Sequence, residues 1–218
     1  MKNVVIICDD LFGIEVFSIL QAINKYNAKA GKEPEYKVVG YVCDNGKLFE
    51  ENDVLLPYLG KIEDREPVSP ESYIMAILEP CRKEQIALLF HDKGAVFETV
   101  FAPWVICPAA VKCGEGCIIA ARSIKSDIII GRFVTLIETM VSGHLFGDYS
   151  TALRYSNITG NVESRVYIGN HVYLHTGKRM EDDTRAVDGS IIIKNVKKGS
   201  TVSGVPASKI RTECFHMV

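Results

Sequence analysis

No apolar stretch of this chain reaches the ~18–20 residues that a membrane-crossing helix needs, so no membrane partner is expected. An excess of charge of one sign is also missing. The formal net charge is −2 at pH 7, which leaves no basic field for nucleic acid and no polybasic run for anionic lipid. The opening residues, MKNVVIICDD, lack the apolar core and small-residue cleavage site of a secretory signal. They read as a first β-strand that runs into two carboxylates. A paired set of cysteines is wanting too. Seven is an odd number, and Cys8, Cys43, Cys107 and Cys117 lie in apolar runs. That favours reduced, buried thiols in a cytoplasmic protein over a disulfide framework. Cys113 and Cys117 have no second cysteine pair beside them, so no metal site is expected. What is present is an ordinary globular composition, 47% hydrophobic and 24% charged, in 218 residues. That length buries a real core as one large domain or two small ones.

Two grammars divide the chain. Residues 1–105 alternate strands and helices. Lys2–Cys8 is a continuous apolar run, the pattern of a strand covered on both faces. Gly13–Tyr26 carries Ile14, Phe17, Leu20 and Ile23 at helical spacing. Tyr36–Cys43 and Tyr73–Leu78 read as further strands, and Glu79–Gln85 as the start of a second helix. This order predicts a small, Rossmann-like parallel sheet.

Residues 106–218 follow a period of six. From Ile168 it passes through Leu174, Met180, Ala186 and Ile192; from Phe146, through Ala152 and Ile158. Ile130 leads to Leu136, and Cys113 to Ile119. Small residues follow several of these positions, as in Ile130-Gly131 and Ile168-Gly169, and are expected to let the backbone turn a corner. Three hexads make one triangular coil whose aliphatic residues stack on those of the coils above and below. The phase breaks between Leu136 and Phe146, and again between Ile158 and Ile168. Loops bulging from the solenoid are expected there.

The stretches Ile168–Leu174, Asp188–Ile192 and above all GSTVSGVPA (199–207) look like the end of a hexapeptide-repeat acyltransferase. VVGYVCDNGKL (38–48), YIMAILEPCRKEQI (73–86) and WVICPAAVKCGEGCII (104–119) extend the likeness over nearly the full length. The chain resembles the sialic acid O-acetyltransferase and bacillosamine N-acetyltransferase family, which modifies sugars for bacterial glycans. The resemblance implies an α/β domain followed by a left-handed β-helix, a homotrimer, and acetyl-CoA in the groove between neighbouring β-helices. It also implies a sugar or nucleotide-sugar acceptor.

The same resemblance assigns residues. Gly143-His144 matches the family's Gly-His stretch, so His144 is expected as the general base, a role that suits a side chain titrating near neutrality. Gly160 is expected to turn its amide to the thioester and hold the oxyanion. Gly160, Thr176, Gly189 and Ser190 are expected nearest the pantetheine arm of CoA. Gly13 and Asp44 are expected beside the acceptor. Two departures stand out. Leu145 follows His144 where the family has a carboxylate, so another group must fix the ring, with a backbone carbonyl in the 139–150 loop or a carboxylate such as Glu138 or Asp148 expected to do so. The first turn, Cys8–Gly13, keeps one glycine and adds Asp9 and Asp10, which would repel a diphosphate. Two other readings compete. A catalytically silent scaffold would also explain the lost carboxylate and glycines. A metal hydratase like the γ-class carbonic anhydrases would need His144, His171 and His175 to converge, whereas the step from 171 to 175 crosses a corner.

Overall fold

In the computed structural model, which describes residues 1–108 and 111–211, the chain opens with a parallel sheet. Strand β1 (Lys2–Cys8) lies between β2 (Tyr36–Val42) and β3 (Ser72–Ala76). Helix α1 (Phe12–Lys29) and helix α2 (Pro80–Asp92) take opposite sides of it. Alternation along β1 divides the core between them. Val4, Ile6 and Cys8 pack with Val16 and Leu20 of α1, whereas Val5 and Ile7 pack with Ile86 and Phe90 of α2. Five successive residues, Val4–Cys8, are therefore fully buried, as the unbroken apolar run requires. Tyr58 and Phe97 bridge in parallel to Tyr41 and Tyr73 and lengthen the sheet at its two edges.

From Val100 the chain winds into three parallel ladders. Val100–Phe101 already pairs with Ile118–Ile119, so the solenoid reaches back ahead of residue 106. One face runs through Ile118–Ala120, Thr135–Ile137, Thr151–Ala152, Tyr167–Ile168 and Arg185–Ala186. The second runs through Ser123–Ile124, Met140–Val141, Asn157–Ile158, Tyr173–Leu174 and Ile191–Ile192. The third runs through Lys112–Cys113, Ile129–Ile130, Leu145–Phe146, Asn161–Val162 and Arg179–Met180. The result is a left-handed β-helix of about six turns. The inward residue of each short strand joins one apolar column, and Ile119, Leu136, Ala152, Ile168 and Ala186 are all at 0% exposure. Thr201–Gly204 folds back antiparallel on Ala207–Arg211 and covers an otherwise open sheet edge.

Two expectations change at the corners. The phase breaks are shortened corners and not bulging loops. Val141 follows Leu136 by five residues, and Val162 follows Ile158 by four, yet each stays in ladder register with its neighbours. The solenoid absorbs a deletion wherever two residues of strand still reach the next face. The glycine after the inward residue also has a different task. A Cβ at Gly131 would stand 2.2 Å from the Asp148 carboxylate of the next coil, so the glycine makes room for a neighbour. Left-handed residues turn two of the edges instead. Phe133, Tyr149, Arg165 and Asp183 form one such column, and Glu138, Tyr155, His171 and Gly189 form the other.

The α/β sheet is docked on the first face. The α1 side of its core takes in Ile118, Ala120 and Ile137, and the α2 side takes in Phe133 and Tyr149. Between α2 and the solenoid lies Lys83, with no exposed surface. Its Nζ donates to the hydroxyls of Thr135 and Thr151, each at 2.9 Å. Thr151 in turn donates to the Leu78 carbonyl at 2.7 Å. Burial pushes the Lys83 ammonium down to about 7, because a charge without water is costly.

Candidate active site

The edge between the second and third faces is the vertex opposite the docked α/β sheet. Its corners are Lys125–Ile128, Ser142–His144, Thr159–Asn161 and His175–Lys178, one above another. They stack closely. A Cβ at Gly143 would lie 2.0 Å from the Gly160 carbonyl oxygen, and one at Gly160 would lie 2.3 Å from that of Lys178. Only glycine permits this approach. The His144 amide donates to the Asn161 side-chain oxygen at 2.9 Å, which ties the two corners together. Thr159 and Asn161 donate their amides to the carbonyls of Leu174 and Lys178. Among the described residues the Gly160 N–H between them has no protein acceptor.

The His144 side chain is 68% exposed, and its Nδ1 lies 3.1 Å from Asp127 Oδ2. Asp127 comes from the corner one coil earlier and was not singled out from the sequence. Its other oxygen lies 3.3 Å from the Lys125 ammonium. Partial desolvation works against its charge. The bonds from Lys125 and from its own amide, with the nearby imidazole, nonetheless hold the Asp127 carboxyl below the usual range. The carboxylates expected for this position are elsewhere. Asp148 accepts from the Arg132 amide at 2.9 Å and from its guanidinium, and Glu138 belongs to the left-handed column of another edge. A signal for Asp127 did exist. Residues 127, 144, 161 and 178 recur at the length of one coil.

The four residues expected along CoA fall on two edges. Thr176 is exposed one coil beyond Gly160 on the same edge, and its carbonyl meets His175 Nδ1 at 2.8 Å. Gly189 and Ser190 flank the second face from its other side. Gly189 has φ +73° and open space where a Cβ would stand. Ser190 is buried and donates to the Val187 carbonyl at 2.5 Å.

Gly13 and Asp44 lie at the carboxyl ends of β1 and β2, where open α/β sheets hold ligands. Gly13 is buried, and a Cβ there would meet Cys8 at 2.6 Å, so this glycine seats α1 against β1. Asp10 accepts the Phe12 amide at 2.8 Å. The chain's own carboxylate thus takes a donor that a helix N-terminus would offer to phosphate. Desolvation, then Asp10, raises the Asp9 carboxyl to about 6. Asp44 is ion-paired with Arg82 at 3.2 Å. Glu15 with Arg154, and Glu79 with Arg185, bridge from this end of the sheet to the solenoid.

The three histidines of the hydratase reading do not share a centre. His144 meets Asp127, His171 packs on the Tyr155 ring at 5.0 Å from an edge near the sheet, and His175 turns to its own turn's carbonyl. Among the described residues no three histidine, cysteine, aspartate or glutamate side chains are grouped to hold a metal. None of the six cysteines described is in a disulfide; Cys214 lies outside the described residues, as do Ala109 and Ala110 of the junction.

No family model matches the sequence, and no curated protein matches it. Solved structures do match along nearly its whole length. A histidine-to-alanine mutant of GDP-perosamine N-acetyltransferase from Caulobacter crescentus, in complex with CoA and GDP-perosamine, superposes with a TM-score of 0.80. It is 19% identical, over 97% of this chain and 98% of that one. WeeI from Acinetobacter baumannii AYE gives 0.75 at 20% identity, over 96% and 100%. The acetyltransferase domain of PglB from Neisseria gonorrhoeae FA1090, in complex with acetyl coenzyme A, gives 0.70 at 15% identity, over 96% and 99%. The likeness is one of fold: from end to end, this chain is built as perosamine N-acetyltransferase is built.

Proposed function

We propose that this protein is an acetyltransferase that moves the acyl group of acetyl-CoA to an amino or hydroxyl group of a sugar or nucleotide-linked sugar. The observation that carries the reading is one edge of the solenoid, where the exposed His144 ring and, on the next coil, a Gly160 amide with no acceptor among the described residues lie at stacked corners. The acceptor nitrogen or oxygen attacks the thioester carbonyl while His144 Nε2 takes its proton. The oxyanion of the tetrahedral intermediate accepts from the Gly160 N–H, a fixed donor that needs no reorganisation. Collapse breaks the carbon–sulfur bond, and the imidazolium returns the proton to the CoA thiolate. CoA brings the activated acyl group, and the chain supplies position and proton traffic. The pantetheine arm follows the second face, with Gly160 and Thr176 at one margin and Gly189 and Ser190 at the other.

The reading requires more than one chain. His144 is on the vertex opposite the face that carries the α/β sheet, so an acceptor held near Gly13 and Asp44 cannot reach the base of its own chain. A closed homotrimer brings each vertex to a neighbour and gives three equal sites. Six cysteines outside any disulfide among the described residues suit a cytoplasmic enzyme.

The test is release of free CoA from acetyl-CoA, with a panel of GDP- and UDP-linked amino sugars and their free sugars. A mass of three chains by light scattering is expected in the same preparation. No thiol release with any acceptor, together with no thermal shift on adding CoA, would favour the silent scaffold.

A further inference from the structure

His144 lacks a carboxylate in its own corner, since Leu145 follows it, yet the exposed ring has a partner. Asp127 reaches it from the preceding coil, with Oδ2 at 3.1 Å from Nδ1. The contact is well defined on both sides. Lys125 engages Oδ1 of the same carboxylate. The His144 amide is tied to Asn161 above, and its carbonyl accepts the Ile129 amide at 3.0 Å below. The ring, its partner and the partner's partner thus belong to adjacent coils in fixed ladder register.

We propose that Asp127 is the positioning residue of the His144 base, holding the proton on Nδ1 so that Nε2 is the free acceptor. This rests on the acetyltransferase reading of the same corner. A neutral imidazole carries one proton on either nitrogen, and the partner of one nitrogen decides which. A carboxylate accepts only, so it selects the Nδ1–H tautomer and stabilises the imidazolium that forms when Nε2 takes a proton. Joining base and orienter across a coil supplies this function without an acidic residue next to the histidine in sequence. Lys125 contributes by occupying Oδ1, which leaves Oδ2 turned to the ring.

The experiment compares Asp127→Asn, Asp127→Glu and His144→Ala in the full chain with acetyl-CoA and the acceptor that supports turnover. Asparagine presents an N–H as readily as an oxygen and no longer selects the tautomer. The expected result is a kcat lower by about 10- to 100-fold, the range for removing an orienting partner behind a functional histidine. KM for acetyl-CoA stays within about twofold, and glutamate restores much of the rate. Histidine 15N shifts, with the His144 signals assigned by their loss in His144→Ala, report the tautomer independently of turnover. They should show Nδ1–H in the wild type and a mixed or Nε2–H ring in Asp127→Asn. The Asp127 side chain is half exposed, so these variants are expected to melt with the wild type. Unchanged kcat and tautomer in Asp127→Asn, alongside an inactive His144→Ala, would overturn the role of Asp127 and leave the base standing. A fully active His144→Ala would overturn both.

Discussion

Replacing Lys83 with methionine tests how the two halves of the molecule are joined. The ammonium is sealed between α2 and the solenoid, held by two threonine hydroxyls and, among the described residues, by no carboxylate in direct contact. Glu79 and Asp9 favour its charge at longer range, but burial outweighs them and brings it from 10.5 to about 7. The unfolded chain therefore binds the proton more tightly than the folded one between those limits. Stability must rise with pH across that window. The full difference is about 5 kcal/mol, at about 1.4 kcal/mol per pH unit. Between pH 7 and pH 9, wild type should gain about 2 kcal/mol from this one group. Lys83→Met keeps an unbranched side chain one atom shorter and removes the titration. It leaves Thr135 without this partner, an effect of about 1 kcal/mol that does not vary with pH. Urea unfolding of both proteins at pH 7 and pH 9, at one protein concentration, isolates the difference. The gap between them should shift toward wild type by about 2 kcal/mol as the pH rises. Parallel pH profiles would refute the buried-lysine argument.

His144→Ala should lower turnover by about 10²–10⁴ with CoA affinity nearly unchanged, because the ring serves the acceptor; single-turnover rates and CoA titrations check both. Gly143→Ala puts a methyl group where the Gly160 carbonyl already stands, so it should destabilise by about 1–3 kcal/mol and reduce activity; an unshifted melting curve would contradict the close stacking. Gly189→Tyr should fold, since Glu138, Tyr155 and His171 occupy the same left-handed column, and it should weaken CoA binding, as read by calorimetry. Asp9 has a carboxyl raised to about 6, so it stabilises the fold below pH ~4 and loses that contribution as the pH climbs through 6. Asp9→Asn should thus gain on wild type in melting temperature between pH 4.5 and pH 7.

Much of the architecture was legible in the residues. A continuous apolar run such as Val4–Cys8 can only be a strand covered on both faces. A six-residue apolar period from Ile168 to Ile192 fits a three-faced coil and no α-helix. These patterns survive in a sequence because each inward position must be apolar whatever its neighbours are. The corners were less legible, because a corner tolerates deletion. Val141–Phe146 and Ile158–Val162 lose residues without leaving the ladder, and the shortened steps resemble interruptions when counted along the chain. Lys83 gives no sign of burial in its own stretch, where Arg82 and Glu84 flank it as on any solvated helix. The sheet docked on the solenoid removes it from water. The sequence by itself determined the strand–helix domain and the β-helix, and it singled out His144 as a candidate. Only the tertiary structure decided that Asp127 meets that histidine and that its edge faces away from the sheet, because both depend on the length of a coil and on which face is covered.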